Sequence, residues 1–367
     1  MKFIFSTQKL EYARSLFKQG MKLSRTTLLF SRPMSVQASF LTIHETTIKS
    51  CGSLYEKWRE TGRFGKLPNS DLTFQVKYLD TLQGLDLPIS NLSSVPVVVG
   101  LHGAPGSCNE FSNLAEFLHN KGVRFVSPTF PDFSSFRPGI FKHTDEEKAQ
   151  YVRDFLSAIS VPKVDLLVCH SSAVYPGLLL CLHQNPAIKS LAMLNPSTFS
   201  LKMPAINYYQ GLKQMVKASE SPVFLKIMET ICPIILKLAK IPVRVDKFLD
   251  PLLSATVMAR TNIPESKEKF HKLASSGFPI FYAFSEDDKL IGGQNASELA
   301  TLLGAQFSDI CYINKHGVIE KKGQETSRLK VMSFENGSHY VFWKYSDIIN
   351  AAVYNFLIQH ITDSVQS

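Results

Sequence analysis

The chain alternates short apolar runs with amphipathic segments, and one run is unusual. Val164-Asp165-Leu166-Leu167-Val168-Cys169 has strand character and breaks off at His170-Ser171-Ser172-Ala173. A helical stretch, Val174–Gln184, follows at once. A strand that turns this sharply into a helix needs small residues around the turn, because strand and helix pack closely there. Cys169 and Ala173 occupy the two flanking positions. The turn presents the Ser171 hydroxyl at the end of a buried strand.

The rest of the alternation has the same period. Ser39–Ser50 and Leu72–Leu82 read as two strands with a period of two, separated by the polar stretch Glu56–Ser70. Val97–Leu101, Val123–Val126, Val164–Val168, Ile188–Leu194, Pro279–Phe284 and Leu329–Phe334 read as further strands. Their continuous apolar character is that of strands buried on both faces. Asn109–Asn120, Asp145–Ile159 and Ser346–His360 read as helices between or after them. Strands alternating with helices predict an α/β fold with a mostly parallel sheet and helices on both sides. An apolar fraction of 44% over 367 residues supplies the core.

The strand signal vanishes between Pro196 and Gly277. Apolar helical pieces, Tyr208–Lys217 and Val223–Lys240, replace it, broken by Pro222, Pro233, Pro242, Pro251 and Pro264. This predicts a helical cap over 196–277, inserted into a core formed by 39–195 and 278–367. Lys213, Lys217, Lys226, Lys237 and Lys240 on the cap make peripheral contact with an anionic membrane surface a second expectation, against a simple solvated face.

Charge is uneven. Seven basic residues against Glu11 alone give residues 1–35 a charge of +6 out of the chain's +9. The basic balance belongs to the N-terminus, which argues against nucleic acid as a partner of the folded part. Leu10, Ala13, Phe17 and Met21 share one helical face beside Arg14, Lys18 and Lys22. Residues 1–38 therefore read as a basic targeting-like segment of mitochondrial type, with a cytoplasmic protein as the alternative. The six cysteines form no CxxC pair, and no metal or organic cofactor is expected.

Three more features follow strands in order. His102-Gly103-Ala104-Pro105-Gly106-Ser107 comes directly after Val97–Leu101, and its glycines let backbone approach a ligand. Ser285-Glu286-Asp287-Asp288 ends the strand at Phe284; Asp288, or else Asp287, is placed to orient an imidazole. Asn336-Gly337-Ser338-His339 follows the last strand, and histidine is the side chain suited to moving protons near neutral pH. Taken singly these read as a Gly/Pro turn, a solvated acidic turn and a surface histidine.

Together, the order loop, serine, acid, histidine resembles the α/β-hydrolase superfamily from about Leu72 to Leu357, in particular a poorly characterised invertebrate branch with an HGxPGS-type loop and a GHS-type elbow. The resemblance implies a sheet of about eight strands under a variable cap. It implies Ser171 as nucleophile, His339 as base and Asp288 as orienting acid. Ala104 and Ser172 would donate to an oxyanion, with His102, Gly103 and Gly106 supporting the loop. Epoxide hydrolases and haloalkane dehalogenases share the HGxP loop but carry aspartate at the elbow, so serine implies acyl chemistry. The chain departs from the usual pattern at Cys169, Ala173 and Ser285, where glycine is common, and in a polar stretch, Lys315–Arg328, that reads as a loop insertion. The expected activity is hydrolysis of an ester, thioester or lipid acyl bond. The alternative is a non-catalytic protein of the same fold that binds an apolar ligand or partner through its cap.

Overall fold

The computed structural model describes residues 41–82, 95–131, 140–183, 186–199, 250–324 and 328–366, with 213–214, 216–221, 223–227 and 230. The basic N-terminal segment and most of the two expected cap pieces lie outside the described residues.

The elements in chain order begin with β1 (Ile43–Ser50), α1 (Gly52–Glu60), β2 (Leu72–Asp80) and β3 (Val97–Leu101). Next come α2 (Ser112–His119), β4 (Arg124–Pro128), α3 (Asp145–Ala158), β5 (Leu166–His170), α4 (Val174–His183) and β6 (Leu191–Leu194). Then α5 (Asp250–Arg260), α6 (Ile263–Ser275), β7 (Ile280–Ser285), α7 (Gly293–Leu302), β8 (Ile310–Ile313) and β9 (Ile319–Lys321) follow. The chain closes with β10 (Leu329–Phe334), α8 (Val341–Lys344) and α9 (Ser346–Gln366).

Among the described residues ten strands form one sheet, in the order β1-β2-β4-β3-β5-β6-β7-β10-β8-β9. The six neighbouring pairs from β4 to β8 are parallel. Antiparallel pairs stand at the two edges. A two-residue bridge joins Lys163–Val164 to Ala187–Ile188 apart from it.

Burial follows the sequence pattern. β3, β5, β6 and β7 are buried at every position, as parallel strands covered on both faces must be. On β1 burial alternates toward its end, consistent with one face in water. One face of the sheet packs a core that includes Tyr55, Trp58, Tyr151, Phe155, Leu178 and Phe270. The other packs Phe111, Leu118, Phe281, Phe342 and Phe356. Phe270 and Leu273 place α6, which falls inside the segment expected to form the cap, against the core beside α4.

Capping fixes α3 at the sheet's C-terminal edge. Thr144 accepts from the Glu147 N–H at 3.1 Å and the Glu147 carboxylate returns to the Thr144 N–H at 3.1 Å. Glu147 is fully buried and also receives the Tyr55 hydroxyl at 2.8 Å and the Lys142 N–H at 3.0 Å.

Two expectations need correction. The polar stretch after β1 contains a helix, α1, whose large buried side chains are Tyr55 and Trp58. Three buried positions in nine residues, one of them a glycine, leave too faint a stripe to read. The segment expected as a polar loop holds β9, which pairs antiparallel with β8, itself parallel to β10. This hairpin extends the sheet to ten strands instead of about eight. Asn314 shapes its turn, its Oδ1 accepting from the N–H groups of His316 and Val318 at 2.9 and 3.0 Å.

Candidate active site

β5 ends at His170, and the chain enters a 3-10 turn over Ser171–Ala173 before α4. Ser171 has φ +52°, in the left-handed region that a side chain with a Cβ rarely adopts. Strain of this kind persists only where packing over-determines it. Gly103 supplies part of that packing: a Cβ there would stand 2.9 Å from the Ser171 Cβ. Cys169 is accommodated across the helix, because a Cβ on Gly177 would lie 2.5 Å from its Sγ. The room that an elbow glycine would leave at 169 is provided by Gly177 of α4 instead.

The structure brings Ser171, His339 and Asp288 together. His339 Nε2 is 2.9 Å from Ser171 Oγ, and His339 Nδ1 is 2.8 Å from Asp288 Oδ2. A carboxylate only accepts, so Nδ1 carries the proton and Nε2 is the acceptor facing the serine hydroxyl. Asp288 is buried and receives further donors: Asn195 Nδ2 at 3.2 Å and the N–H groups of Leu290 and Ile291 at 2.9 and 3.2 Å. Burial pushes its carboxyl up, but His339 and these two N–H groups outweigh it and hold it below the usual carboxylate range. Burial pushes the His339 imidazole down, the Asp288 hydrogen bond opposes this, and the net direction is downward.

The choice left open between Asp287 and Asp288 is decided by position. Asp287 Oδ1 faces away from the imidazole and accepts from Ser285 Oγ at 2.6 Å and from the N–H groups of Gly337 and Ser338 at 2.9 and 2.7 Å. It braces the turn before His339, where Ser338 has φ +52°. Ser285 adds a second brace, its Oγ accepting from the Gly337 N–H at 2.6 Å. Serine in place of the common glycine thus ties the acid turn to the histidine turn.

The loop after β3 lies against the elbow. His102 Nε2 accepts from the Phe130 N–H at 2.8 Å, so Nδ1 donates to the Gly103 carbonyl at 2.7 Å. Burial pushes the His102 imidazole down to about 4, so it is neutral in this role. At Gly106 a Cβ would meet His102 Nδ1 at 2.6 Å and Glu110 Oε2 at 2.7 Å. Ala104 follows Gly103 in this loop. Ser172 sits in the first turn after the elbow, where a backbone N–H has no intrahelical acceptor.

Three participants were not singled out from the sequence. Asn195 ends β6 with φ +43° and bridges Asp288, the Ser338 carbonyl at 3.1 Å and the Val341 N–H at 3.2 Å. Its signal was a polar residue closing an apolar strand at the sheet edge shared with the other features. His170 and Glu110 are both buried, with His170 Nδ1 2.6 Å from Glu110 Oε1. Sixty positions separate them in the chain, so only the polar residue at the end of β5 was visible. Among the described residues no cluster of histidine, cysteine and carboxylate side chains is placed to hold a metal ion.

A parallel sheet whose C-terminal edge gathers a strained serine, a histidine and a buried aspartate defines a protein of the α/β-hydrolase class. Residues 58–360 match the family described as alpha/beta hydrolase of unknown function, DUF1057, and the chain belongs to it. It is 23% identical over 285 residues to the uncharacterized protein F35H12.5 of Caenorhabditis elegans, covering 73% of this chain and 74% of that one. Its fold is similar to a thermophilic esterase from Thermogutta terrifontis (TM-score 0.54, 12% identity, 86% of this chain and 99% of that). It is equally similar to the haloalkane dehalogenase DbeA from Bradyrhizobium elkani (TM-score 0.55, 12% identity, 88% and 99%). At these identities the likeness is one of fold.

Proposed function

We propose that this protein is a serine hydrolase that cleaves an ester, thioester or lipid acyl bond through an acyl-enzyme on Ser171. The observation that carries the reading is the unbroken chain from Ser171 Oγ through His339 to Asp288, at 2.9 and 2.8 Å, with the serine at φ +52°. A hydroxyl is a weak nucleophile until a base accepts its proton, and His339 Nε2 stands where that acceptor must be. Ser171 Oγ attacks the carbonyl carbon as its proton passes to Nε2. The imidazolium that forms is stabilised by Asp288 and then protonates the leaving group. The backbone N–H groups of Ser172 and Ala104 receive the oxyanion. A water activated by His339 releases the acyl group and restores the serine.

The alternative of a non-catalytic binder drew on the substituted elbow positions. Gly177 makes room for Cys169, which answers the steric motive at that position. The neighbours of similar fold include an esterase and several haloalkane dehalogenases. The hydroxyl at 171, with a base beside it, favours the acyl chemistry of the former.

The test is labelling of the purified protein with a fluorophosphonate, followed by peptide mapping. The expected result is modification confined to Ser171 and abolished in Ser171→Ala. A folded wild-type protein that resists the probe would overturn the reading.

A further inference from the structure

Behind the site lies a second carboxylate–imidazole pair. Glu110 Oε1 is 2.6 Å from His170 Nδ1 and accepts from the Gly103 N–H at 3.2 Å. His170 Nε2 is 3.0 Å from the His339 carbonyl oxygen, and the two rings lie 4.9 Å apart. The Glu110 carbonyl receives the Trp343 indole N–H at 2.9 Å from α8, just after His339. One glutamate therefore ties together the loop after β3, the residue next to Ser171 and the segment carrying His339.

A carbonyl oxygen only accepts, so His170 Nε2 donates to His339. Burial raises the Glu110 carboxyl, but His170 and the Gly103 N–H more than offset it, and the net direction is downward. The two ring nitrogens of His170 face the two segments that must stay in register, Nδ1 at 2.6 Å from Glu110 and Nε2 at 3.0 Å from the His339 carbonyl.

We propose that Glu110 and His170 are positioning residues that set His339 and the loop carrying Ala104 in register with Ser171. Neither touches a substrate atom. The proposal rests on the serine hydrolase reading and goes beyond it by adding a buried pair on which the geometry of that site depends. A shift of about 1 Å in a reacting group costs on the order of 100-fold in rate, so a clamp on His339 has a measurable consequence.

The groups facing His339 are Asp288 from the turn after β7, Ser171 and His170 from the elbow, Glu110 from the loop after β3, and the adjoining Tyr340. The Glu110 carboxylate favours protonation of His339. In Glu110→Gln the carboxylate that favours protonation of His339 is lost.

The experiment compares wild type and Glu110→Gln in rate of fluorophosphonate labelling from pH 5 to 9, with circular dichroism to verify folding. The expected outcome is labelling slowed roughly 10- to 100-fold and an acid-limb midpoint displaced to lower pH. Equal rates and an unmoved midpoint overturn the proposal and leave the hydrolase reading intact. A wild type that does not label overturns that reading, and this one with it. Should Glu110→Gln fail to fold, His170→Gln is compared in the same labelling assay: slowed labelling supports the pair, and an unchanged rate overturns it.

Discussion

Ser171 is held at φ +52° with its Oγ 2.9 Å from a histidine whose pKa burial lowers. Under the proposed mechanism the atoms that move electrons and protons are few, and substitutions should separate them. Ser171→Ala is expected to lower kcat for an ester substrate by about 10⁴-fold or more, since nucleophile and base act as a unit. Asp288→Asn should cost about 10³- to 10⁴-fold, because an amide can favour the wrong imidazole tautomer. Asp287→Asn, which keeps an acceptor for the Gly337 and Ser338 N–H groups, should cost far less. Steady-state kinetics on the three variants checks the ranking; an Asp287 effect equal to that of Asp288 would contradict it. Only a neutral His339 accepts the serine proton. Its pKa is lowered from the ordinary histidine value of about 6.5, so activity should fall with acidity along a limb whose midpoint lies below that value.

Elements meet at the elbow through close approach, and Gly177 in α4 is the contact that accommodates Cys169. Glycine to alanine inside a helix ordinarily stabilises by about 0.5–1 kcal/mol. Here the sign should reverse, with Gly177→Ala destabilising by about 1–3 kcal/mol through overpacking against the Cys169 sulfur. Cys169→Gly should relieve most of that loss when combined with it. Urea unfolding of the two single variants and the double variant measures the coupling, and additive effects would refute the contact. This pair also shows where reading the chain stops. Cys169 stands out as a departure from the elbow pattern, yet Gly177, eight positions on, is an unremarkable helix residue until strand and helix are packed. Likewise, β3, β5 and β7 were legible because burial on both faces demands unbroken apolar runs. α1 and β9 were not, because one is mostly exposed and the other is three residues at a sheet edge.

At the scale of the molecule, buried histidines couple folding to pH. His102 has a pKa of about 4 in the folded state, against about 6.5 unfolded. Between those values the unfolded chain binds more protons than the folded one, so stability rises with pH across the window and is lost as pH falls through it. The full difference is roughly 3 kcal/mol. Protonating His102 Nε2 would also remove the acceptor for the Phe130 N–H. Unfolding free energies at pH 7 and pH 5 should therefore differ less in His102→Gln than in the wild type; an unchanged difference would show that His102 is not the linked group.

Local sequence by itself determined the alternation of strands and helices, the place of the elbow and the order of loop, serine, acid and histidine. Each depends on residues close in the chain: apolar periods, small residues at a turn, polar groups ending strands. Tertiary structure decided which of two adjacent aspartates reaches His339, how a cysteine fits at the elbow, and that Glu110 meets His170. These are contacts across 51, 8 and 60 positions of sequence. Their geometry is set by the sheet's parallel register, which carries strand ends distant in the chain to one edge, and no local pattern records that distance.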